Sequence, residues 1–364
     1  MVDVSDGTTG VTTATGNSLS SAVQTGTLDV QTAQTVSANV AASTTLNVVT
    51  NAGAQTSLTT AATGNASDAG SYAGGALTGT VTQTVSAGSN ITADSSVAAG
   101  AARTGAATID TQAIANSHGI AVQDTSATMT VTQSSAALTQ ATGGNELMYT
   151  PGTASMSAAA VSNNVTAVGT GNSSQTLTLH QTMTGARTQA AEFDDAGNAQ
   201  TFAGQATATG NTIAATNETG PIAVTDTQAN NSYVRAQAVV TSYEFGTGSA
   251  SAYGVGNSVL VGNSGQSMSL DNTQTNTIGL DAIASFTGNN GFDASSNATA
   301  MGNAVTAYAC SNCGGVMNVK NSQTSSGGVS ATSTTTTTAG NRSVTGSATA
   351  VGNNATFYVS KPGG

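Results

Sequence analysis

Apolar and polar residues alternate along most of this chain, with Val, Ala, Ile and Leu separated by Thr, Ser and Asn. Three segments show the pattern well: Ile222-Ala-Val224-Thr-Asp226-Thr-Gln228, Met268-Ser-Leu270-Asp-Asn272-Thr-Gln274 and Met317-Asn-Val319-Lys-Asn321-Ser-Gln323. A period of two is that of a β-strand with one face turned inward. The three segments also end on the same residue type, which points to repetition.

The repeat runs the length of the chain. Ala-x-Gly-Asn occurs at 14–17, 62–65, 208–211, 300–303 and 350–353, with a near copy ending at Asn257 and weaker copies ending at Asn116 and Asn163. The anchor asparagines are therefore Asn17, Asn65, Asn116, Asn163, Asn211, Asn257, Asn303 and Asn353, about 48 residues apart. Glutamine keeps the same period at Gln34, Gln83, Gln133, Gln181, Gln228, Gln274 and Gln323. Two markers in phase over residues 1–364 predict one elongated repeat domain of about seven and a half units.

Stacking these units explains their composition. A strand of Ala, Thr, Val and Asn buries little alone, but identical strands stacked about 4.8 Å apart form a narrow apolar seam. Inward Asn and Gln can then bond amide to amide along the axis. Small inward candidates follow six of the seven glutamines, at Ala42, Ala141, Ala190, Ala236, Ala282 and Ala331. The predicted fold is all-β, a β-solenoid or another stacked β-repeat of about 48-residue units. Turn signals also recur mid-repeat, as at Gly197-Asn198 and Gly288-Asn289. They favour two coils of about 24 residues per unit and a rod of roughly 70 Å; a single coil per unit halves that length.

Composition removes several function classes. Only 6% of residues are charged, aromatics are 4%, Trp is absent and the net charge is -11. Six Lys and Arg offer no basic face to nucleic acid. No apolar run reaches the ~20 residues of a transmembrane helix. The large apolar residues are too scarce for a conventional enzyme core. Few charges and prolines, with strand-forming alternation, also argue against disorder.

The chemistry-bearing residues are sparse. Cys310 and Cys313 are expected to close a short disulfide loop, because zinc ligands and a thioredoxin-like context are both missing. The acidic run Glu192-Phe-Asp194-Asp195-Ala-Gly-Asn198 could offer oxygens to Ca²⁺, but no calcium repeat supports it and a solvated turn is the plainer reading. His180 is expected to face outward beside Gln181, and His118 belongs to no visible motif. Thr334 to Thr338 read as a strand of high β-propensity. No catalytic, cofactor or metal residues are predicted, and the start lacks the charged-then-apolar order of a signal peptide.

Ser347-Ala-Thr-Ala-Val-Gly-Asn353-Asn-Ala355 resembles the head repeats of trimeric autotransporter adhesins, whose repeat is shorter. The Gly-Asn and Gln markers on alternating strands are similar to those of curli subunits. The acidic, Ala/Thr/Asn-rich whole most resembles the holdfast attachment protein D family of stalked α-proteobacteria. That resemblance implies a surface-exposed anchor, working with a small amyloid-like partner and an outer-membrane lipoprotein, that holds an adhesive polysaccharide to the envelope.

The sequence reading is thus a non-enzymatic surface adhesin or anchor that stacks end to end with itself and with other anchor subunits. Unpaired strand edges at the two ends of a solenoid would template that stacking. The competing readings are a fibre or amyloid-like subunit of phage or pilus type, and a polysaccharide-active β-helix enzyme.

Overall fold

The computed structural model describes residue 4 and residues 6–265, 267–310 and 316–360. These form fifteen strands in one sheet. Long strands are β1 (Gly7–Val36), β3 (Asn51–Val85), β4 (Asn90–Gln123), β6 (Leu138–Thr170), β8 (Arg187–Asn217), β10 (Tyr233–Asn263) and β12 (Leu280–Cys310). Short ones are β2 (Val40–Asn47), β5 (Ser126–Ser135), β7 (Ser174–Met183), β9 (Ile222–Asn230) and β11 (Ser267–Asn276). The last coil is made by β13 (Val316–Ser325), β14 (Val329–Ala339) and β15 (Ser343–Ser360). Pairing is parallel throughout; in the middle coils long strands pair with long and short with short, while β2 pairs with β4, β5 with β3, and both β14 and β15 with β12. The architecture is the stacked β-repeat that the alternation predicts.

The size of the coil differs from the favoured reading. Asn211 pairs with Asn257 and Gln228 with Gln274, so each position meets its equivalent one whole repeat away. One coil holds one repeat of about 48 residues, not two coils of 24. The mid-repeat turns are corners on a single perimeter. The eight anchor asparagines therefore span only about 34 Å along the axis, and the stack is broader than a thin rod.

Strand β10 shows how one long strand makes three walls. Val234, Ala236, Ala238 and Val240 point inward, and the strand bends at Ser242–Phe245. Gly248, Ala250 and Ala252 then line the opposite wall. At Gly254-Val255-Gly256-Asn257 four successive residues are buried, and the inward parity changes from even to odd numbers. Gly256 suits that corner because a Cβ there would lie 2.5 Å from the Gly302 carbonyl oxygen of the next coil. Val259 and Val261 form the third wall, and Met268 and Leu270 of β11 close the ring.

Two apolar lobes result. One gathers the first two walls and includes Val234, Val240, Phe245, Ala250 and Phe286. The other gathers the third wall and the short strands, with Leu177, Leu179, Val259, Val261 and Leu270. The small inward column Ala42–Ala93–Ala141–Ala190–Ala236–Ala282–Ala331 runs through consecutive coils of the first lobe. Each fully buried Leu or Val contributes roughly 1.5–3 kcal/mol, and repetition supplies many of them.

Candidate functional site

The junction between the two lobes is polar. Each anchor asparagine donates one amide hydrogen to the asparagine of the following coil: Asn17 to Asn65, then Asn116, Asn163, Asn211, Asn257, Asn303 and Asn353, at 2.7–2.8 Å. Its other hydrogen goes to a backbone carbonyl of its own short-strand wall, as from Asn211 to Ala229 or Asn257 to Thr275. The glutamines run the other way. Gln83 donates to Gln34, Gln133 to Gln83, Gln181 to Gln133, Gln228 to Gln181, Gln274 to Gln228 and Gln323 to Gln274. Their second hydrogens reach carbonyls beside the asparagines of the next coil, as from Gln228 to Ser258.

The second bond fixes the direction of each ladder. Turning an amide over would face its oxygen to a carbonyl oxygen. The two ladders therefore have opposite polarity, and they end in opposite ways. Among the described residues, the Asn17 oxygen of the first coil accepts no bond, while the Gln34 amide donates only to the Ala66 carbonyl. In the last coil Asn353 donates one long 3.4 Å bond, and the Gln323 oxygen accepts only from Asn321 of its own strand, at 3.5 Å. Acceptor and donor at one end match donor and acceptor at the other. Phe357 and Val359 stand in register with buried Ala307 and Ala309, yet are 40% and 50% exposed.

The acidic run read as a solvated turn is instead part of β8. Glu192 and Asp194 point inward and are fully buried, while Phe193 and Asp195 point out. Asn145 of the preceding coil donates to both carboxylates, at 2.8 and 2.9 Å. Among the described residues no group of three or more His, Cys, Asp or Glu gathers to hold a metal. His180 is exposed. Cys310 is buried at the end of β12 with no free thiol, and Cys313 lies outside the described residues. Thr334–Thr338 lie in strand β14.

His118 is buried on the third wall, in the column of Val259, and its Nδ1 lies 2.7 Å from the Ser67 hydroxyl. Burial lowers its pKa to about 4, against a weaker opposing effect of the Ser67 contact. The folded state therefore resists protonation that the unfolded chain accepts near 6.5. Stability from neutral His118 is complete above that pH and is lost as pH falls towards 4. Chemical denaturation of wild type and His118→Leu should diverge across this window, wild type losing about 3 kcal/mol more. Parallel curves would remove His118 as a source of acid sensitivity.

One corner is concave. Five successive coils there line a groove of about 650 Å³, with Glu146, Met148, Asp195, Asn198, Tyr243 and Asn289 around it. Tyr243 is 61% exposed, and Met148, Tyr149 and Phe292 stand exposed at the same corner. The register stacks Glu146 on Asp195, and no Lys or Arg lines the groove. Aromatic, amide and carboxylate groups in one groove suit a hydroxyl-rich ligand.

A family model described as holdfast attachment protein D matches residues 2–279. No curated protein and no solved structure matches the chain.

Proposed function

The chain belongs to the holdfast attachment protein D family, and on that premise we propose that it is a non-enzymatic surface anchor that lengthens by head-to-tail stacking. The carrying observation is the complementarity of the ladder ends. With Asn17 of one copy laid on Asn353 of another, Gln34 falls on Gln323, Leu28 on Met317, Val30 on Val319 and Ala14 on Ala350. Asn353 then donates to Asn17 and Gln34 to Gln323, continuing both ladders in their own directions. The apolar lobes continue as well. Such a contact joins different surfaces of two copies, so it propagates instead of closing.

Family membership associates the protein with the cell envelope and with other holdfast components. We further infer that the stack holds an adhesive polysaccharide. The corner groove and the outward Ser, Thr and Asn columns support this, since equivalent weak contacts repeated coil by coil add up in avidity. Among the described residues no helix is long and apolar enough to cross a membrane.

The test is assembly of the 364-residue chain over a concentration series, read by light scattering and electron microscopy. Filaments of constant width are expected. The double variant Val319→Lys/Phe357→Lys alters one end only and leaves the interior coils intact. It should stay small alone and shorten wild-type filaments when mixed in, and cells carrying it should shed adhesive under flow. A chain that remains monomeric throughout overturns the stacking reading.

A further inference from the structure

Among the described residues the buried carboxyls are Glu192, Asp194 and Asp226, and of these Glu192 and Asp194 stand together, beside Asn145. Their two columns are apolar or small on either side. Glu192 follows Gly143 and precedes Ala238 and Ala284; Asp194 follows Val97 and Asn145 and precedes Val240 and Phe286. The site is built to accept the two carboxyls. A Cβ on Gly143 would overlap the Glu192 carboxyl, and one on Gly204, on the facing wall, would overlap Asp194. The two carboxyls lie within hydrogen-bonding reach of each other. One oxygen of each, and the Asn145 oxygen, find no other partner.

Charge makes this arrangement untenable with both groups ionised. The described ion pairs are Lys320–Asp271 and Arg342–Asp293, so no cation pairs with either carboxylate. The groups packed around them are Gly143 and Asn145 from β6, Ala238 and Val240 from β10, and Gly204 from the far side of β8. The remaining field comes from Asp110, and it is also negative. Like-charged carboxylates at this separation retain a proton between them.

We propose that Glu192 and Asp194 share one proton beneath Asn145, and that this proton is a latch: held, it closes the wall beside the corner groove; lost, it loosens that wall. The coupling follows from chain position. Asp195, Ala196, Gly197 and Asn198, which follow directly, line the groove.

Burial is the main cause raising both carboxyls, Glu192 well above its ordinary value and Asp194 to about 7, with mutual repulsion adding to Glu192. The sign follows. The folded pair holds protons that the unfolded chain releases near 4, so its contribution is complete below that pH and declines as pH rises, the shared proton being the last to leave. His118 acts in the opposite direction, so the comparison must be between variants.

The experiment has two readouts on the full chain. Infrared difference spectroscopy at neutral pH should show a protonated carboxyl band in wild type that Glu192→Gln removes. Thermal melting of wild type should fall by several degrees between about pH 5 and pH 8 relative to Glu192→Gln and to Asp194→Asn. Hydrogen exchange should show the opening at residues 195–198 in wild type alone. Should one variant fail to fold, the other carries the comparison. Absence of the band, or pH dependences that coincide in wild type and variant, overturns the proposal.

Discussion

Asn211→Ala should destabilise the fold by about 3–6 kcal/mol, a large part of the 5–15 kcal/mol that ordinary domains possess. The reason is the ladder. Asn211 accepts from Asn163, donates to Asn257 and donates to the Ala229 carbonyl. Truncation leaves three groups short of a bond in a site with no exposure, and each such group costs about 1–3 kcal/mol. Asn353→Ala is the internal control. It removes the acceptor for Asn303 and one long bond, in a coil that water reaches, so its cost should be about 1 kcal/mol or less. Equilibrium denaturation of the two variants measures the contrast. Equal costs would mean that strand pairing alone carries the stack and the amides are passengers.

The same ladder shows why so much of the fold is legible in the sequence. A stack satisfies inward amides only with identical amides above and below, so repetition is written residue by residue. Asn116 and Asn163 follow Ala115 and Ser162 where other copies carry Gly, and the register still places them in the column. Spacing alone, however, cannot say whether a mid-repeat turn closes a coil or merely bends it. That is why Gly197-Asn198 and Gly288-Asn289 suggested half-size coils although they sit at corners of full ones.

The buried acids were missed for a different reason. Charge beside a Gly-Asn pair suggests solvent. Yet Ala190 was read as inward, and Glu192 and Asp194 share its parity. In the same way His118 shares the parity of Asn116. Parity counted outward from a secure ladder residue is the stronger signal, because a strand wall cannot turn one side chain out without a bulge. The corner groove had no such signal. Its lining comes from five coils, and only the register brings Glu146, Asp195 and Tyr243 onto one surface.

Phe286→Ala should cost about 3–5 kcal/mol, and its partner across the core should reveal why. Phe286 is fully buried and meets Phe245 edge to face, with ring centroids 5.0 Å apart and planes at 78°. The two walls there are too close for bulk on both. Phe202 supplies the bulk from one wall, Gly248 follows it in the next coil, and the Phe286 ring fills the space over Gly248 from the facing wall. Gly248→Ala would press a methyl into that ring and should cost about 1–3 kcal/mol. In the Phe286→Ala background the same methyl enters a void, so Gly248→Ala should there be neutral or stabilising, a coupling of about 1–3 kcal/mol. A double-mutant cycle by chemical denaturation measures it. Additive costs would show that the walls do not share this volume and that glycine at 248 serves the backbone alone. Coupling would show that bulk and glycine are matched between coils, which lets a chain of small residues close its core without voids.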